Sequence, residues 1–89
     1  WLRFLDEEIL TALPSEEYEL LSTLAVAEKP VPWESLASAV KWDGHPPENL
    51  MKHGLLLELE EGMWLHEALR ERLLRDVGSQ KEKRKRRLE

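Results

Sequence analysis

Apolar residues recur at spacings of three and four over most of the chain, switch once to strict alternation, and then return to the helical spacing. Leu2, Leu5, Ile9 and Leu13 make the first amphipathic stripe, so a helix is expected over Trp1 to Leu13. Pro14 ends it. Ser15 is placed to cap a second helix, with Glu16 and Glu17 where the positive dipole end favours acids. Tyr18, Leu20, Leu21, Leu24 and Ala25 give that helix a broad apolar face, which predicts the central helix of the core. Lys29-Pro30-Val31-Pro32 breaks the pattern, because proline lacks a donor and drives its predecessor towards extended geometry.

Trp33, Leu36, Ala37 and Val40 then define a short helix that Pro32 can start at its first position. Asp43-Gly44 marks a turn, Pro46 or Pro47 can open another helix of roughly two turns, and Gly54 can end it in a left-handed conformation. Leu55, Leu57 and Leu59 alternate with Leu56, Glu58 and Glu60, the period of a strand with one apolar face. Glu61-Gly62 supplies a hairpin turn, and Met63 to Leu65 returns antiparallel. From Glu67 the period is helical again, with Ala68, Leu69 and Leu73 inward and Arg70, Glu71 and Arg75 outward.

The fold class that follows is mainly α with a small antiparallel β-hairpin. The order of three helices, a two-stranded wing and a final helix, with one extra helix in front, is that of a winged helix-turn-helix. Its 89 residues suffice for one small core, assigned to residues 1–78. The run from Ser79 to Glu89 has no apolar stripe and reads as a solvated tail, disordered or locally helical. The initial Trp1, where a complete chain starts with Met, suggests part of a longer protein.

Charge divides along the same boundary. Residues 1–78 carry sixteen acids against seven Lys and Arg, net -9, whereas residues 79–89 carry six bases against two acids, net +4. An acidic body repels phosphate backbones, and a basic tail attracts any polyanion without specificity. The chain has no cysteine, which removes disulfides and thiolate metal ligands and fits a cytoplasmic setting. No apolar run approaches the length of a membrane span, so no membrane partner is expected.

Residue inventory argues against catalysis. The four glycines are isolated, so no phosphate-binding loop followed by lysine exists within the fragment, which cannot be an ATPase alone. His45, His53 and His66 have no metal-ligand spacing, and no metal site is expected. Ser15, Ser22, Ser35 and Ser38 lie near no recognisable base, and Glu60-Glu61 is a solvated turn pair; no catalytic residue is assigned.

Two binding readings follow from the topology. If the short third helix enters a DNA groove, as in a transcription regulator, its readers would be Asn49, Lys52 and His53. Opposing that, Glu48 stands on the same helix, and Glu58, Glu60 and Glu61 stand on the wing. The other reading is docking to protein, either on a neighbouring domain or as a simple adaptor for a protein partner.

The segment Gly54-Leu55-Leu56, leading through the hairpin to Trp64-Leu65-His66-Glu67-Ala68-Leu69-Arg70, resembles the winged-helix domain of signal-transduction ATPases with numerous domains (STAND ATPases, AAA+-type regulators). Only Gly54 to Arg70 is motif-like, and Glu67 stands where that family usually has Asp. The resemblance implies a non-catalytic regulatory module docked on the nucleotide-binding domain of the same chain. It also implies that His66 contacts ADP, with ADP or ATP and magnesium held mainly by the preceding ATPase domain. The physical setting is compatible: a histidine entering a helix sits beside unpaired N–H groups and a positive dipole end, which suits phosphate. The plainer alternative is that His66 caps its helix or packs beside Trp64.

Overall fold

A computed structural model of the chain describes residues 12–88. The expected first helix, Trp1 to Leu13, lies outside the described residues except for its last two positions. The described chain is mainly helical with one two-stranded antiparallel hairpin, as the hydrophobic pattern predicts.

Helix α1 spans Ser15–Ala25 and is buried on all sides from Leu20 to Ala25, with Ser22 and Thr23 fully covered too. It is the central helix. Pro14, not Ser15, is its N-cap, in extended geometry, and the first helical bond runs from the Tyr18 N–H to the Pro14 carbonyl at 3.0 Å. The chain then passes through Val31, which makes an isolated antiparallel bridge with Met63. Helix α2 is Trp33–Val40, with Pro32 as its N-cap rather than its first residue. Lys41 ends it in the left-handed region, at φ 58°.

Helix α3, Glu48–Lys52, is one turn and a half rather than two. Pro47 is its N-cap, and Gly54, at φ 72°, follows it in the left-handed conformation expected. Here the alternation read from sequence is corrected. Leu55 and Leu56 precede the strand, and the N–H groups of both donate to the Leu50 carbonyl, at 2.9 and 3.2 Å. Both side chains are therefore buried consecutively, closing the end of α3. The strand β1 is only Leu57–Leu59, with Leu57 half-buried and Leu59 40% exposed, so the face carrying Leu55, Leu57 and Leu59 is not one buried stripe.

Strand β2 is Gly62–Trp64, joined to β1 by the two-residue turn Glu60-Glu61, with Leu57 opposite Trp64 and Leu59 opposite Gly62. Gly62 is needed where it stands. At φ 143°, a Cβ there would lie 2.5 Å from the Val31 carbonyl carbon, so the hairpin accepts the passing Val31-Pro32 backbone only because this residue has no side chain. Helix α4, Glu67–Val77, buries Leu69, Leu73 and Val77 against α1. Ala68 is only half-buried, and Arg70, expected outward, is half-buried as well.

The run read as a solvated tail, disordered or locally helical, is helical and docked. A turn of 3-10 helix, Gly78–Gln80, leads into helix α5, Lys81–Leu88, which packs against α2 and α1. The reason is electrostatic complementarity that a linear reading of the basic run cannot see. Arg84, only 9% exposed, forms an ion pair with Glu19 at 2.6 Å, and Lys85 pairs with Glu28 at 3.0 Å. The basic tail offsets part of the charge of the acidic body.

Candidate functional site

The junction of β2 and α4 gathers the chemically distinctive side chains. Leu65 is buried and fixes the crossing, so that His66, in extended geometry at φ -62° and ψ 141°, becomes the N-cap of α4. The Ala68 N–H donates to His66 Nδ1 at 3.1 Å, and the Arg70 N–H donates to the His66 carbonyl at 3.0 Å. The capping role is thus present. A ring that accepts at Nδ1 carries its proton on Nε2, and the exposed imidazole stands at a helix end where the backbone dipole is positive.

Arg70 completes the junction. Its Nη2 donates to the Ala27 carbonyl at 2.8 Å, its guanidinium carbon stands 5.3 Å from the Trp64 ring centroid, and Glu67 approaches Nη1 at 3.9 Å. One side chain therefore ties α4 to the end of α1 and covers the indole that closes β2. Periodicity placed Arg70 on the outward face of α4, and no local signal marks the distant carbonyl that draws it in.

Two tryptophans hold the segment before α3. Trp33 and Trp42 meet edge to face, with centroids 6.5 Å apart and planes at 74°. Their indole N–H groups donate to the Gly44 and His45 carbonyls at 3.3 and 3.1 Å. Both rings are half-buried, as expected of large aromatics in a small domain. Their joint grip on the turn at residues 44–45 was not legible, because it depends on which loop each indole reaches.

Asn49, Lys52 and His53 are all exposed, and their spacing places Asn49 and Lys52 on one side of α3 with His53 just beyond its end. His53 is the C-cap, not a helical residue, and its Nδ1 lies 2.8 Å from the Asn49 carbonyl. It is folded back on the helix it ends. Glu48, Glu58, Glu60 and Glu61 are exposed around this trio and the wing.

Among the described residues no group of His, Asp and Glu is arranged to hold a metal ion, and no helix is long and apolar enough to cross a membrane. A cleft of about 400 Å³ lies between the connector after α1 and helix α5, lined by Ala27, Val31, Pro32, Ser35, Lys85 and Leu88; His66 does not line it. Comparison of the chain with protein-family models, with curated proteins and with solved structures finds no match.

Proposed function

We propose that this chain is a regulatory winged-helix module of a larger multidomain ATPase. In this reading it docks on the nucleotide-binding domain of its own chain and senses ADP or ATP through His66. The observation that carries the reading is the capping geometry. His66 Nδ1 accepts from the Ala68 N–H, which holds the exposed ring at a positive helix end, a setting that suits a phosphate oxygen. The module adds that one contact; the phosphate-binding loop and the magnesium ligands belong to the preceding ATPase domain. The winged-helix part of the reading is supported by the order α1, Val31 bridge, α2, α3, hairpin, α4, in which Val31 acts as a one-residue first strand against Met63.

The test separates cap from sensor in the full-length protein. His66→Asn retains a side-chain oxygen for the Ala68 N–H, while His66→Ala removes it and is expected to cost about 1 kcal/mol of stability in urea denaturation. Both variants are expected to speed ADP release roughly tenfold or more, the loss of one hydrogen bond to a charged group. Unchanged release of a fluorescent ADP analogue from His66→Asn would sink the proposal and leave His66 as a cap alone.

A second reading, DNA binding as in a transcription regulator, is favoured by the joint exposure of Asn49, Lys52 and His53. Sequence-specific binding of a duplex that Lys52→Ala weakens would support it. The exposed carboxylates of Glu48, Glu58, Glu60 and Glu61 oppose it, since each repels the phosphates such a helix must approach.

A further inference from the structure

Among the described helices, α5 is held differently from α4. Where α4 buries Leu69, Leu73 and Val77, the inward face of α5 presents Arg84 and Lys85, with Leu88 half-buried at its end. Arg84 Nη1 pairs with Glu19 and reaches Thr23 Oγ1 at 3.5 Å, while Nη2 donates to Gln80 Oε1 at 3.1 Å. Lys85 Nζ donates to the exposed carboxylate of Glu28, whose pKa is lowered chiefly by that bond and by the charges of Lys85, Lys81 and Arg70. Arg84 Nε is buried there with no hydrogen-bond partner among the described residues. The contact is polar, imperfectly satisfied and dependent on screened charge, the properties of a segment that detaches before the core unfolds.

The outward side of α5 carries the exposed cations Lys83 and Arg86 beside the single exposed acid Glu82, and Lys81 is exposed at the start of the helix. Six of the eight residues of α5 are Lys or Arg. We propose that α5 is a nucleic-acid-binding arm that the acidic α1 holds in reserve. On a phosphate backbone the helix leaves α1, Arg84 and Lys85 exchange Glu19 and Glu28 for phosphates, and the cleft roofed by Lys85 and Leu88 opens. The partner is a nucleic acid rather than a membrane because KEKRKRRL carries a single apolar residue, Leu88, and so has no face to insert between lipids. Contacts are to the backbone and carry no base specificity. The carboxylates act as an internal competitor, so apparent affinity is the intrinsic affinity scaled by the fraction of α5 released. This is independent of His66 and holds whether or not the domain senses nucleotide.

The experiment compares the full 89-residue chain with its Glu19→Gln/Glu28→Gln variant, using anisotropy of a short labelled DNA duplex of mixed sequence across a salt series. The variant is expected to bind roughly tenfold tighter or more at low salt, with a steeper slope of log K against log salt, because in the parent added salt also weakens the ion pairs that compete with phosphate. Hydrogen exchange of residues 81–88 in the parent chain is expected to accelerate when duplex is added. Equal affinities and equal slopes, or protection of 81–88 that survives duplex binding, would overturn the latch. Absence of binding by both proteins would overturn the arm. A matching gain on phosphatidylserine vesicles would overturn the assignment to nucleic acid. The substitutions lie on exposed or half-exposed carboxylates, and coincident urea transitions would show that the variant folds.

Discussion

At the residue scale, one side-chain identity is forced by the backbone around it. Gly62 admits the Val31-Pro32 backbone, and a methyl group there meets the Val31 carbonyl carbon at 2.5 Å and Pro32 N at 2.8 Å. Neither neighbour is a flexible side-chain end, so relief requires moving the connector away from β2 and lengthening the Val31–Met63 bonds of 3.1 and 2.6 Å. Gly62→Ala is expected to cost about 1–3 kcal/mol, from overpacking together with an unfavourable φ. The urea midpoint read by tryptophan fluorescence checks it, and a shift equivalent to less than half of the lower bound would contradict the close approach. His66 shows the converse. Its capping bond reaches only two residues ahead, so local pattern was enough to expect it, whereas a role towards phosphate depends on a domain that local pattern does not contain.

At the scale of elements, α1 and α4 are joined by apolar burial and by one polar clasp. Tyr18 donates to Asp76 Oδ2 at 2.9 Å, and Arg72 pairs with the other carboxylate oxygen. Burial opposes ionisation of Asp76, but the bonds from Arg72 and Tyr18 and the charges of Arg72 and Arg75 outweigh it, so its pKa is lowered. A carboxylate with a lowered folded pKa contributes stability above its unfolded pKa, and that contribution is lost as pH falls through the folded value. Tyr18 has the opposite shift, raised first by burial and then by its bond to Asp76, so its contribution is present below the unfolded tyrosine pKa and lost as pH rises through the folded value. Asp76→Asn is therefore expected to flatten the acid limb of a stability profile and to lower the plateau near neutrality. An unchanged acid limb would show that the clasp contributes nothing to the pH dependence. None of this was legible in the sequence, since Tyr18 and Asp76 stand 58 residues apart. Helices α1, α2 and α4 were legible, because each repeats its apolar residues over at least two turns; α3 was legible from the flanking Pro47 and Gly54, and α5, with one apolar residue, was not legible as a packed helix. The wing was legible only as a hairpin, because Leu55-Leu56-Leu57 satisfies an alternating template and a buried helix end equally well.

Over the whole molecule, charge is the property whose sequence reading was correct in amount and wrong in consequence. The division into -9 and +4 stands, yet the two parts meet through Arg84 with Glu19 and Lys85 with Glu28 instead of remaining apart. Linear composition predicts how strongly a segment repels itself; it does not say whether an opposite charge waits at the right place on a folded surface. A consequence follows for the salt dependence of stability. In the full chain the ion pairs of α5 are favourable, and added sodium chloride screens them. Removal of residues 79–89 leaves net -9 on residues 1–78, with Arg84 taken from Glu19, Lys85 taken from Glu28 and Leu88 gone from the cleft. Screening then relieves repulsion among acids. The truncated chain is expected to be less stable at low salt and to gain stability as sodium chloride is added, while the full chain stays level or loses stability over the same range. Parallel salt slopes in urea denaturation would mean that α5 contributes no net electrostatic stabilisation. Slopes of opposite sign would make the basic helix the counter-ion of its own domain, which is the condition for a competing polyanion to draw it away.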